Sequence, residues 1–332
     1  MKSSSSFFPA RLMSAEVQQG LAEDVYLLKP NNSLDHSVEL ALTHLSPLGE
    51  SETLRSQRPA LVLIHGCYQN RRLWWTDSGP CLAKELVSHG IDVWLMELRG
   101  HGVSPVNQCY EDNTLEDYAR YDLPAVDQFV AEHSRGPVNW LGYGTGAGAL
   151  LASIALHSLP SESTGLVMGM GVPFFKSNWS RIPGVSTLLA AGRGKTDSHL
   201  GPESESMSFL QGLAKESQWF ARRGVSVGVD LWRELTATGK SIHWLCSDEC
   251  LNQLDDGFNS LQTQGLLHTV LDEPVLDDEV AQEHIVPSLT NAEKVDSLAG
   301  KIVQLLDTGG ASGCVSPTGK TSSVTRRLQA GI

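Results

Sequence analysis

The stretch from Val138 to Leu151, VNWLGYGTGAGALL, leaves this chain few ways to fold. An apolar run ending in Leu141 gives way to three alternating glycines, Gly142, Gly144 and Gly146, and then to a run of alanine, glycine and leucine. The first part reads as a buried strand and the last as a small-residue helix. The glycines between them read as a tight turn in which a side chain would be strained or would clash. A strand feeding a helix in this way belongs to an α/β layer architecture with a parallel sheet. The spacing is that of G-x-S-x-G, a turn that presents a hydroxyl at a strand end, but residue 144 is a glycine and has no oxygen to attack with. A phosphate-cradling turn is the alternative, and no lysine follows the last glycine to support it.

Other strand ends carry their own signals. Ala60 to Ile64, ALVLI, is a continuous apolar strand of the kind covered on both faces, and it runs into His65, Gly66, Cys67 and Tyr68. Asp92 to Leu98 is the next strand, followed by the turn Arg99-Gly100-His101-Gly102-Val103-Ser104. Thr114 and Asp117 have capping-box spacing for a helix toward Glu132, within which Pro124 of YDLPA forces a kink or a restart. Asp24 to Leu28 and Val38 to Leu45 read as strands joined by a turn at Pro30 to Ser33, and Gly49 to Arg58 as a polar linker. Leu73 to His89 reads as a helix interrupted at Gly79-Pro80, and Thr164 to Gly171, Ser241 to Cys246 and Leu266 to Leu271 as further strands. Thr290 with Glu293 opens an amphipathic helix whose apolar face is Val295, Leu298, Ala299, Ile302, Val303 and Leu306. Residues 1–20 are expected to be a loose arm and 308–332 a disordered tail.

Taken together, the strand DVWL with its arginine-glycine turn, the YDLPA helix and the glycine turn resemble the acid lipase branch of the α/β-hydrolase superfamily, which includes gastric-type lipases. The resemblance is good over roughly Ala60 to Gly171 and rests on pattern elsewhere. It implies an α/β-hydrolase fold, with a mostly parallel sheet of about eight strands flanked by helices. It further implies one domain over 21–307 with a cap inserted at about 173–235, carboxyl-ester substrates and a Ser-Asp-His triad. Gly144 then stands at the nucleophile position. Asp248 is the expected acid, with Glu249 and Asp255 as rivals, and His284 the expected histidine, with His268 as its rival. Backbone amides of Cys67 and Thr145 are the expected oxyanion donors. Tyr68, Tyr143 and Trp219 are candidate substrate contacts, and Phe174, Phe175 and Trp179 candidate walls of the pocket.

Composition bounds the partners. A net charge of -13 and a pI near 5.3 argue against nucleic acid and against anionic lipid surfaces. The six cysteines have no disulfide-framework spacing, and Cys246 and Cys250 lack the second pair that a zinc site requires. A reducing, cytoplasmic setting without metal or cofactor is expected. The N-terminal residues lack the apolar run of a signal peptide, and no stretch approaches a membrane span. The functional expectation is a pseudoenzyme that binds a small lipophilic ester or acid. The alternative is an active hydrolase, or a nucleophile-independent enzyme that uses Asp248 and His284 as a general base.

Overall fold

Apolar runs in the sequence become the strands of one twisted sheet in the computed structural model, which describes residues 8–160, 164–171, 201–206, 208–213, 225–226, 228–246, 256–271 and 291–309. The strands are β1 (Ala10–Gln18), β2 (Leu21–Leu28), β3 (Leu40–Pro47), β4 (Ala60–Ile64), β5 (Asp92–Met96), β6 (Val138–Tyr143), β7 (Thr164–Met170), β8 (Ile242–Cys246) and β9 (Leu267–Leu271). Their spatial order is β1-β2-β3-β5-β4-β6-β7-β8-β9. The first three pair antiparallel, and β5 through β9 run parallel. Among the described residues the α-helices longer than a single turn are α1 (Leu82–Ser88), α2 (Leu123–His133), α3 (Thr145–Ala155), α4 (Leu231–Thr238), α5 (Asp256–Thr263) and α6 (Ala292–Gly309).

Successive residues of a strand point to opposite faces, and both faces of this sheet are covered. Val62, Trp94, Trp140 and Trp244 look toward α2, α3, α4 and α5, where Phe129, Leu150, Leu235 and Phe258 meet them. Leu63, Leu95, Leu141 and Leu245 look the other way, toward Leu86 of α1 and Leu298 of α6. The apolar face expected of the last helix is the buried one. Its cap is Asn291, whose Oδ1 accepts from the Glu293 and Lys294 amides at 3.0 and 3.2 Å.

The structure departs from the sequence reading in several places. Residues 10–18 are not a loose arm but the outer strand β1, closed onto β2 by a turn in which Gln19 and Gly20 both have positive φ, 51° and 82°. One residue is extra between Leu12 and Ser14, so Met13 makes a bulge on the open edge. The linker at 49–58 contains a single helical turn, Glu52–Arg55, capped by Ser51. The helix expected over 73–89 is confined to Leu82–Ser88, after Gly79-Pro80. Leu231 and Leu235 lie in the main core, so α4 belongs to the sheet-covering layer and not to a cap reaching residue 235.

The capping box at Thr114 and Asp117 forms as its spacing predicts, and the chain then widens into a π-helix over Tyr118–Asp122 before α2 begins. Pro124 lacks an N–H and its ring would crowd the carbonyl four residues back, and the wider turn relieves both conflicts.

Candidate active site

Strands β5 and β6 flank β4, so the strand order reverses at β4, and it is outside the carboxyl ends at such a reversal that open α/β sheets bind ligands. Ile64 and Gly142 are register partners there, so the loop beginning at His65 and the turn beginning at Gly142 are neighbours. Their contact is close. A Cβ on Gly146 would lie 2.3 Å from the His65 carbonyl oxygen, and one on Gly142 would lie 2.6 Å from the Ala147 backbone. Both positions exclude any side chain. Gly146→Ala should cost about 1–3 kcal/mol of stability through overpacking against immobile backbone, read as a lower urea midpoint at unchanged slope.

Between those two glycines Gly144 adopts φ 52° and ψ −119°, a conformation side chains rarely take, at the head of α3. Its amide donates to the Met170 carbonyl at 2.9 Å. Thr145, the first residue of α3, is buried, and its hydroxyl has no hydrogen-bond partner among the described residues. The free amides of a helix start and its dipole favour an oxygen that bears negative charge. Tyr143 lies half-buried with its ring edges 3.1 Å from where a Cβ would stand on Gly66 and on Gly171.

The facing loop is fixed by buried polar groups. His65 Nε2 accepts from the Leu98 amide at 3.1 Å, and its Nδ1 donates to the Gly66 carbonyl at 2.8 Å, so the ring is neutral. Burial, reinforced by the positive charge of His101, pushes its pKa down to about 3. His101 is the opposite case. Its Nδ1 faces the Arg99 carbonyl at 3.1 Å and its Nε2 faces Glu205 Oε1 at 3.0 Å, two acceptors that only an imidazolium satisfies. Burial opposes the charge, but Glu205 outweighs it and lifts the pKa to about 9. This raised value contributes stability that is full below the ordinary 6.5 and is lost as pH rises through about 9.

Cys67 is half-buried, and its thiol hydrogen-bonds to the Glu205 carboxylate, a negatively charged neighbour that makes a poor setting for a thiolate nucleophile. Tyr68 is buried with a left-handed φ of 62°. Arg99, which opens the turn after β5, forks onto Asp122 of the π-turn at 2.8 and 2.5 Å, with both side chains buried. Burial disfavours the guanidinium charge, and Asp122 more than restores it, holding Arg99 above its usual value.

Gly66 and Tyr143 are in contact across the gap, so of the expected site residues Cys67 and Tyr68 follow directly on one side of that contact and Gly144 and Thr145 on the other. Asp248, His284 and Trp219 lie outside the described residues, as do Glu249, Asp255, Phe174, Phe175 and Trp179. His268 is described, and it stacks mid-strand on His243 at 5.0 Å. Sequence reasoning missed Glu205 altogether. The only signal was His101 itself, a histidine in a buried turn that requires a partner. Among the described residues no helix is long and apolar enough to cross a membrane, and no group of three or more His, Cys, Asp or Glu is placed to hold a metal ion.

A nine-stranded sheet with this strand order, helices on both faces and a glycine turn after β6 has direct counterparts. The model of the alpha/beta hydrolase fold family matches residues 59–180. This is an α/β-hydrolase fold. Among solved structures the chain is similar to a carboxylesterase of the thaumarchaeon Nitrososphaera gargenis, with a TM-score of 0.52 and 15% identity over 83% of this chain and 98% of that one. It is also similar to the thioesterase domain of the curacin biosynthetic pathway, with a TM-score of 0.53 and 12% identity over 85% and 99%. In sequence it is similar to a probable lipase of Schizosaccharomyces pombe, 27% identical over 114 residues, which is 31% of this chain and 24% of the relative. Human gastric triacylglycerol lipase is 27% identical over 156 residues, 44% of this chain and 35% of the lipase. The matches thus span about a quarter to a third of these relatives.

Proposed function

We propose that this chain uses a hydrolase crevice to bind a small lipophilic ester or carboxylic acid without forming a covalent acyl intermediate. The observation that carries the reading is the turn at Gly144. Its backbone has the strained geometry that serves to present a nucleophile, Gly142 and Gly146 are sterically required around it, and the residue so presented has no hydroxyl. The amides of Thr145 and Cys67, on the two sides of the crevice, would receive the oxygen of the ligand's carbonyl or carboxylate. Similarity to lipases and esterases favours acyl compounds over other ligand classes.

The wild-type protein should not label with a fluorophosphonate, which reacts only with an activated hydroxyl. A medium-chain acyl ester or fatty acid at a hundred times its dissociation constant should stabilise the fold by about 2.7 kcal/mol, read as a rise in Tm. Labelling of the wild type that disappears in Thr145→Ala or Ser104→Ala would show that a hydroxyl is activated after all. A panel of esters, acids and lactones that leaves Tm unmoved would remove the ligand.

A further inference from the structure

The segment Gly201–Ser206 forms a strap that crosses the loop after β4. Strap and loop are joined by backbone and side chain. The Glu203 amide donates to the Tyr68 carbonyl at 2.9 Å, the Tyr68 amide donates to Glu205 Oε1 at 2.8 Å, and Asn70 Nδ2 donates to Glu203 Oε1 at 2.5 Å. The Tyr110 hydroxyl donates to the Ser204 carbonyl at 2.8 Å. The approach is so close that a Cβ on Gly201 would lie 2.1 Å from the Tyr68 carbonyl oxygen.

We propose that Glu205 is a positioning residue that latches this strap onto the 65–70 loop and thereby holds the Cys67 amide in shape to receive a ligand oxygen. Three groups converge on its buried carboxylate: the Tyr68 amide, the Cys67 thiol and the His101 imidazolium. His101 in turn leans on the Arg99 carbonyl, and Arg99 is forked onto Asp122, so the carboxylate ties the loop to the rigid side of the sheet. Tyr68 supplies an independent sign that the loop is held from outside. A tyrosine in the left-handed region is strained and persists only where its surroundings impose it, and here the strap clasps its backbone on both the amide and the carbonyl side. Without the carboxylate, His101 has no counter-ion and gives up its buried proton, so its link to the strap is lost, and the Tyr68 amide loses its acceptor. The loop then relaxes.

The inference rests on the reading of this crevice as an acyl-binding site, but its test needs no ligand. Cys67 is the reporter, followed by iodoacetamide alkylation and peptide mass mapping on the full chain. Buried Cys81 monitors global unfolding, and exposed Cys109 supplies the reference rate. Glu205→Ala should alkylate at Cys67 at least tenfold faster than wild type when the two are compared at equal thiolate fraction, taken from the pH dependence of each rate, with Cys81 still protected, and hydrogen exchange of the Tyr68 amide should accelerate alongside. Glu205→Gln keeps an acceptor for that amide but no charge. It should give a smaller rise in both rates, and the His101 ring, whose ¹⁵N shifts at pH 7.5 should be those of a doubly protonated imidazole in the wild type, should become neutral. If Glu205→Ala exposes Cys81, the glutamine variant decides. Unchanged Cys67 alkylation and Tyr68 exchange in a folded variant, or a His101 ring that stays doubly protonated in Glu205→Gln, overturns the latch. A latch that behaves as expected alongside an ester panel that never moves Tm would instead leave the latch standing and remove the ligand reading.

Discussion

Asp122→Ala is expected to lower stability by about 3–5 kcal/mol, a large part of what a domain of this kind has in total. Asp122 has no exposed surface and Arg99 only 2%, so deletion of the carboxylate leaves the guanidinium in a place water does not reach. The penalty belongs to the stranded charge and not to the strength of the pair. Replacing both partners with apolar side chains of similar volume, Arg99→Met with Asp122→Leu, should therefore recover most of the loss. Urea unfolding of the two single variants and the double variant checks this, and a double variant as unstable as Asp122→Ala would show that the pair contributes through its fork geometry.

Gly144→Ser should make the protein reactive toward a fluorophosphonate. The backbone at residue 144 already holds φ 52° and ψ −119°, so the new side chain has to bear the strain of that conformation, about 1–3 kcal/mol, but does not have to create the turn. The hydroxyl would extend from the head of α3, next to the Thr145 amide, at a helix start whose dipole favours negative charge. Gly144→Ala bears the same strain without the oxygen and should stay unlabelled, which separates chemistry from disturbance. A folded Gly144→Ser that also stays unlabelled would mean that no base reaches residue 144, and the expectation for His284 and Asp248 would fall with it.

The parts of this fold that were legible in advance are those where one local rule acts alone. ALVLI had to be a strand covered on both faces, Thr114 with Asp117 had to cap a helix, and the glycines at 142 and 146 had to mark a close approach. What could not be read was any relation between distant segments. Arg99 and Asp122 were both visible, one in the RGHG turn and one in YDLPA, yet nothing in either motif says that they form a single buried pair. Glu205 lies more than a hundred positions from His101 in a Ser- and Glu-rich run that looks like any solvated loop. The strand β1 escaped notice for a different reason. Its side chains are mostly exposed, so it lacks a clean inside-outside alternation, and the backbone ladder to β2 that holds it leaves no trace in composition.

That same strand bears on how the protein behaves at high concentration. An outer strand of nine residues with Leu12, Met13 and Val17 open to solvent, at 38%, 44% and 66%, is a template onto which a second chain could zip. The extra residue at Met13 interrupts the template near its middle. A copy trying to pair along it would lose register after the first few hydrogen bonds, and Arg11 and Glu16 would add charge on either side of the break. The bulge thus acts as a guard against sheet-to-sheet growth. Deleting Met13, which restores an unbroken ladder, would convert a tolerable patch of exposed apolar surface into a nucleus for aggregation.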